Sequence, residues 1–193
     1  VYIIDSYGLI YRSYFAFITR PLVNSKNENV SAVFGFFRNL INIIKSHNPK
    51  YIIAAFDSRT PTFRHEMYDQ YKATRNKTPD DLHAQIPVIC EILEALGIPV
   101  LQCDGYEADD VIATVAKKCS ETGRGCRILS GDKDLMQLVT TSTTMMCPDK
   151  AGGWQDIGIE EVEEKWGVKP ELMLDLLSLI GDTADNVPGV KGI

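Results

Sequence analysis

A chain of 193 residues, 45% apolar and 24% charged, can bury one substantial core and has no composition that would call for disorder or a fibrous repeat. Its net charge of −6 excludes a surface that grips polyanions everywhere, although an acidic metal site alone would account for the excess. Five scattered cysteines without a C-x-x-C pair exclude a disulfide scaffold and a structural zinc site and fit a reducing compartment, and no apolar run approaches the ~20 residues of a membrane span.

The sequence opens directly on a strand-like run, Val1 to Asp5, and ends at Gly192-Ile193 without a stop signal, which reads as a piece of a longer chain. A helix is predicted through Tyr7 to Phe17, and a loop from Thr19 to Asn29 around Pro21. Val33, Phe36, Phe37, Leu40, Ile41 and Ile44 recur at helical spacing from Val30 to His47, and Asn48-Pro49 stops that helix. Strand and helix then alternate: strand Tyr51 to Phe56, helix Leu82 to Leu96, strand Ile98 to Gln102, helix Glu107 to Cys119, strand Cys126 to Leu129, short helix Leu135 to Val139, strand Thr143 to Cys147. That order predicts an α/β domain with a mainly parallel sheet flanked by helices. After Pro148 come a turn at Ala151-Gly152-Gly153 and helices Ile159 to Trp166 and Pro170 to Ile180, so residues 148–193 are expected to be a helical part following a core over 1–147. No G-x-G-x-x-G or Walker motif follows a strand, which argues against nucleotide-binding versions of such a sheet.

The carboxylates are placed unusually. Glu107, Asp109 and Asp110 open one helix, while Asp5, Asp57, Asp132 and Asp134 follow the strand-like runs. Ligands of open parallel sheets bind beyond the carboxyl ends of the strands, so these acids would converge there with Asp182 and Asp185. Taken singly, each also reads as a helix cap or turn residue. Taken together, oxygen-only ligands without nearby His or Cys point to a hard cation such as Mg²⁺ or Mn²⁺. Two such ions about 4 Å apart can activate a water and stabilise a leaving oxygen. His47, His65 and His83 read as surface residues.

The segment 59–77 supplies opposite charge. Arg64, Tyr68, Tyr71, Lys72 and Arg75 recur at helical spacing and predict a basic, aromatic face suited to single-stranded nucleic acid, with Glu66 and Asp69 off it. An amphipathic helix with a solvated charged face fits the same pattern.

Phe56-Asp57-Ser58, Phe63-Arg64-His65-Glu66, Tyr71-Lys72-Ala73-Thr74-Arg75, Gly105 to Asp110, Asp132-Lys133-Asp134-Leu135 and Gly181 to Ile193 occur in an order that resembles the flap endonuclease family. The likeness is close to the 5′-nuclease domain of bacterial DNA polymerase I and spans nearly the whole chain. It implies a PIN-like fold and two-metal hydrolysis of DNA at a 5′ flap or 5′ end in primer removal and repair, with RNA primers open as a further class. It assigns Asp5, Asp57, Glu107, Asp109, Asp110, Asp132, Asp134, Asp182 and Asp185 to metal. Lys72, Arg75, Asp110 and Asp132 become catalytic, and Arg64, Tyr71, Lys72, Arg75, Lys133 and Lys191 DNA contacts. Residues 59–81 would form an arch around the displaced strand, with Tyr71 stacking on a base. The resemblance further implies Mg²⁺ replaceable by Mn²⁺ and a monomer within a longer polymerase chain in the bacterial cytoplasm, with no membrane contact. A helix–turn–helix that grips duplex, with K⁺ if completed, would be present only in its first turn. Two other readings stay open: a DNA-binding module that holds flaps without cutting, and a receiver-like domain phosphorylated on Asp57.

Overall fold

The computed structural model describes residues 1–149 and 152–192. Among them, strands β1 (Tyr2–Asp5), β2 (Ile52–Ala55), β3 (Val100–Leu101), β4 (Cys126–Leu129), β5 (Thr143–Pro148) and β6 (Trp154–Ile157) form one sheet in the order β3-β2-β1-β4-β5-β6. All neighbours run parallel except β5 and β6. The helices are α1 (Ser6–Phe15), α2 (Ser31–His47), α3 (Phe63–Met67), α4 (Asp80–His83), α5 (Gln85–Ala95), α6 (Ala108–Glu121), α7 (Ile159–Trp166) and α8 (Met173–Ile180). The expected α/β, PIN-like architecture with a mostly parallel, helix-flanked sheet is present.

The strands read as unbroken apolar runs because helices cover both faces. Ile4, Ala54, Leu129 and Met146 stand in register on one face and pack against α1, α2, α4 and α5 around Phe36, Leu40 and Ile89. Their neighbours Ile3, Ala55, Ile128 and Met145 face the other way, onto α6, α7 and α8 around Ile112, Val162 and Met173. From β1 the chain moves outward to β2 and β3, then returns across the sheet to β4. The strand order therefore reverses at β1, and a crevice opens beyond its carboxyl end.

Several boundaries differ from the sequence reading for local reasons. The helix expected over Leu82 to Leu96 is two helices meeting at Ala84, because Pro87 has no N–H to continue the ladder there. The helix expected near Leu135 is a 3₁₀ turn over Asp134–Leu138. Residues 148–193 are not wholly helical: Trp154–Ile157 pairs antiparallel with β5 as an edge strand. Its middle residues, Gln155 and Asp156, are exposed, and only Ile157 enters the core, so its apolar alternation is weak.

Beyond α8 the chain turns back in a short hairpin of β7 (Gly181–Asp182) and β8 (Val187–Pro188). Gly181 has φ +73°, and a Cβ there would lie 2.3 Å from the Gly189 nitrogen, so only glycine fits. Among the described residues no helix follows this hairpin, so the expected helix–turn–helix is represented by α8 and the hairpin alone. The predicted turn includes Ala151, and the last motif includes Ile193; both lie outside the described residues. No helix among those described is long and apolar enough to cross a membrane.

Candidate active site

The strands β2, β1 and β4 are adjacent and end at one edge, where they deliver Asp57, Asp5 and Asp132. The Asp5 carboxylate accepts hydrogen bonds from Ser130 Oγ at 2.6 Å and from the Gly8 N–H at 3.1 Å. A Cβ on Gly8 would fall 2.6 Å from Asp5 Oδ2, so that approach needs glycine. Asp57 Oδ1 accepts the Ala108 N–H at the start of α6, 2.7 Å away, an arrangement the helix dipole favours. Asp132 is fixed by its backbone, its N–H donating to Ser130 Oγ at 3.0 Å and its Oδ1 accepting from the Asp134 N–H at 2.9 Å.

Asp109 joins these three from α6, and with Glu107 they line an open cavity of about 790 Å³. Among the described residues no Lys or Arg pairs with Asp5, Asp57, Asp109 or Asp132. The charge is therefore uncompensated. Burial, then repulsion from Asp132, Asp5, Asp57 and Glu107, pushes the Asp109 carboxyl up to about 8. Burial raises Asp5 as well, against the bonds from Ser130 and Gly8.

Of the remaining acids, Glu107, Asp110, Asp182 and Asp185 are compensated by the protein itself. Arg64 grips Asp110 with both terminal nitrogens, at 2.7 and 2.8 Å. Lys72 Nζ donates to Glu107 at 2.7 Å and lies 3.9 Å from Asp185, which also pairs with Arg75. Lys133 donates to Asp182 at 2.6 Å. The Tyr71 hydroxyl sits 3.0 Å from both Glu107 and Asp185, sharing one proton between them. Burial disfavours ionisation of Asp110 and Asp182, but Arg64 and Lys133 outweigh it and hold both below the usual carboxylate range. Asp134 is raised, by burial and then by Asp132. Its Oδ1 is buried without a hydrogen bond, 3.6 Å from Lys133 Nζ, and Asp134, Asp182 and Asp185 present oxygens within 4.8 Å of one another.

The nine sequence-predicted acids fall in two adjoining groups: Asp5, Asp57, Glu107, Asp109 and Asp132 line the larger cavity, and Glu107, Asp109, Asp110, Asp134 and Asp185 line a second of about 190 Å³, with Asp182 beside Asp134 and Asp185. The predicted basic face does not form. Segment 59–77 contains only the short α3, followed by turns in which Lys72 takes φ +56°. Arg64, Tyr71, Lys72 and Arg75 turn inward to the acids, because paired charges near a low-dielectric floor attract more strongly than charges left in water. Tyr71, expected to offer its ring to a base, is only 9% exposed and packs edge-on against His65. His65 is not a free surface residue either; its Nδ1 bonds the Thr62 N–H and hydroxyl at the start of α3. Lys191 is exposed on the final turn. Segment 72–78 still borders the cavity through Lys72, Arg75, Asn76, Lys77 and Thr78, the last bonded to the Tyr11 hydroxyl. Sequence reasoning missed Ser130 and Gly8. The only signal for Ser130 was a hydroxyl in the strand-end run Ser130-Gly131-Asp132.

The donor set tests well for hard divalent cations. All candidate ligands offer carboxylate oxygens; Asp134 Oδ1, in the group with Asp182 and Asp185, is buried without a hydrogen-bonding partner, and in the other group Asp5, Asp57, Asp109 and Asp132 stand in mutual repulsion that an ion would relieve.

Residues 1–167 match the family described as "5′-3′ exonuclease, N-terminal resolvase-like domain". The chain belongs to this family. Over its full length it is 51% identical to DNA polymerase I of Treponema pallidum, of which it covers 19%, and 44% identical to a 5′-3′ exonuclease of Aquifex aeolicus, of which it covers 65%. The chain therefore spans under two thirds of these relatives. Its fold is shared with the bacteriophage T5 5′-exonuclease, solved with divalent zinc ions, at a TM-score of 0.77 and 22% identity over all of this chain and 70% of that one. A T5 flap endonuclease structure containing DNA and metal ions gives 0.75 at 21% identity with the same coverage.

Proposed function

We propose that this member of the 5′-3′ exonuclease family is a structure-specific nuclease domain that hydrolyses DNA phosphodiesters at a 5′ end or 5′ flap. It works in a longer polymerase chain, in primer removal and repair in the bacterial cytoplasm. The reading rests on one observation above all: four carboxylates, from the ends of three strands and from a helix, line one cavity, and none of them forms an ion pair among the described residues. A protein tolerates such repulsion where a bound cation removes it.

In this reading Asp5, Asp57, Asp109 and Asp132 hold one ion, and Glu107, Asp110, Asp134, Asp182 and Asp185 border the position of a second. Divalent ions held there, Mg²⁺ with Mn²⁺ as a substitute, would polarise the phosphodiester and lower the pKa of water. The protein's own contribution is positional and electrostatic. Ser130 and Gly8 fix Asp5, and the start of α6 fixes Asp57. Lys72 and Arg75 exchange Glu107 and Asp185 for the phosphate and offset charge as it develops in the transition state. Arg64, Tyr71 and Lys133 then act as the counter-charges and hydrogen bonds that keep the acids placed.

The test is a 5′-labelled flap substrate incubated with and without Mg²⁺. Short 5′ fragments that appear only with the ion support the proposal, and no cleavage with Mg²⁺ or Mn²⁺ overturns it. Flap binding that survives chelation without cleavage would favour a holding module instead. A phospho-acceptor role for Asp57 is not favoured, since Lys133, its expected partner in such a domain, is engaged by Asp182 at 2.6 Å.

A further inference from the structure

A second, smaller cavity of about 260 Å³ lies against Asp5 and Asp132, the same carboxylates that border the catalytic crevice. It is lined otherwise by Gly8, Leu9 and Arg12 of α1, Ser130 and Gly131 after β4, and Pro148 and Trp154 of the β5–β6 hairpin. None of residues 59–81 lines it. Arg12 is held over the Trp154 ring, 6.0 Å from its centroid, with its guanidinium donating to the Asp149 carbonyl at 3.4 Å. Trp154 is half-buried, one part packed on the edge of the first core.

An aromatic ring beside a guanidinium, next to carboxylates that hold cations, has the composition of a nucleotide subsite. The ring offers a stacking surface and the cation a phosphate partner. The cavity is large enough for about one base and too small for a duplex. From this we infer that Trp154 stacks on the single nucleotide lying across the acid cluster from the arch, with Arg12 beside its phosphate. The inference rests on the nuclease reading and adds to it a contact on the opposite wall. It also gives a role to the tryptophan that opens an edge strand whose two middle residues are polar and exposed.

The chain has two tryptophans, and the other, Trp166, is tied to Met136 in the second core, away from this cavity. The experiment follows tryptophan fluorescence and flap anisotropy together, with an oligothymidine 5′-flap duplex titrated in Ca²⁺ in place of Mg²⁺. Quenching that tracks binding in the parent and is lost in Trp154→Phe, with the fold retained by circular dichroism, is the expected result. In Mg²⁺, Trp154→Ala should raise KM by about tenfold with kcat little changed, in line with the worth of one base stack. Binding with quenching unchanged in Trp154→Phe, or with no quenching at all, overturns the inference and leaves the nuclease reading intact. Failure of the flap both to bind in Ca²⁺ and to be cut in Mg²⁺ removes both.

Discussion

The two halves of the acidic crevice solve the same electrostatic problem in opposite ways. Asp110, Asp182, Asp185 and Glu107 are neutralised from within, by Arg64, Lys133, Arg75 and Lys72. Among the described residues, Asp5, Asp57 and Asp132 are held by backbone N–H groups and one hydroxyl, which orient a carboxylate without cancelling its charge, and Asp109 stands beside them without an ion pair. The first half is stable as it stands. The second lacks such counter-charges, and in the proposed function a bound cation would relieve the repulsion that adds to burial in raising Asp109. Segment 59–77 folds onto the first half through Arg64, Lys72 and Arg75, and residues 72–78 border the cavity of the second.

The largest expected effect separates the halves by sign. Asp109→Asn should lower flap cleavage by more than about a hundredfold, since even outer partners of metal ligands cost 10–100-fold in affinity or activity. The same change should raise the melting temperature of the metal-free protein, because it deletes a carboxylate whose neighbours repel it. The pH dependence has the matching sign. A group near 3.8 unfolded and about 8 folded binds its proton more tightly in the native state. The stability of the metal-free protein should therefore be fullest near pH 4 and fall as pH rises toward 8. Mg²⁺ should flatten that slope, and Asp109→Asn should lessen it. A melting temperature that climbs from pH 4 to 8 without metal would break the comparison.

The compensated half should respond in the ordinary direction. Arg64→Ala leaves Asp110 without its fork and should destabilise the fold by about 1.5–3 kcal/mol in urea, the usual worth of hydrogen bonds to charged groups. Asp110→Asn should cost a similar amount, in contrast to Asp109→Asn one residue away. Smallest of all is Lys77→Ala: its pair with Asp80 is 85% and 88% exposed, and urea midpoints should be unchanged.

The fold class and the convergence of the acids were legible because both follow from chain order and strand ends. Apolar runs closing on Asp5, Asp57 and Asp132 fix those residues at one edge once the strands lie parallel. The partition of the acids was not legible. Helix spacing separates Asp109 from Glu107 and Asp110, yet it does not say which side carries counter-charges. That depends on the turns after α3, where Lys72 adopts a left-handed conformation that periodicity cannot anticipate. The same turns explain why Tyr71 and Arg75, read as an outward face, point in. The strand Trp154–Ile157 escaped notice for a different reason, since an edge strand with a single buried residue leaves almost no alternation to see.

The claim that matters most is that the bare acids are a cation site. Soaking crystals with Mn²⁺ and collecting anomalous data tests it directly. Manganese bound by Asp109 and Asp132, with Asp5 or Asp57 within reach of the same ion, is the predicted result. A crevice that stays empty at millimolar Mn²⁺ while the crystals diffract, or ions found only on acids outside it, would contradict the account.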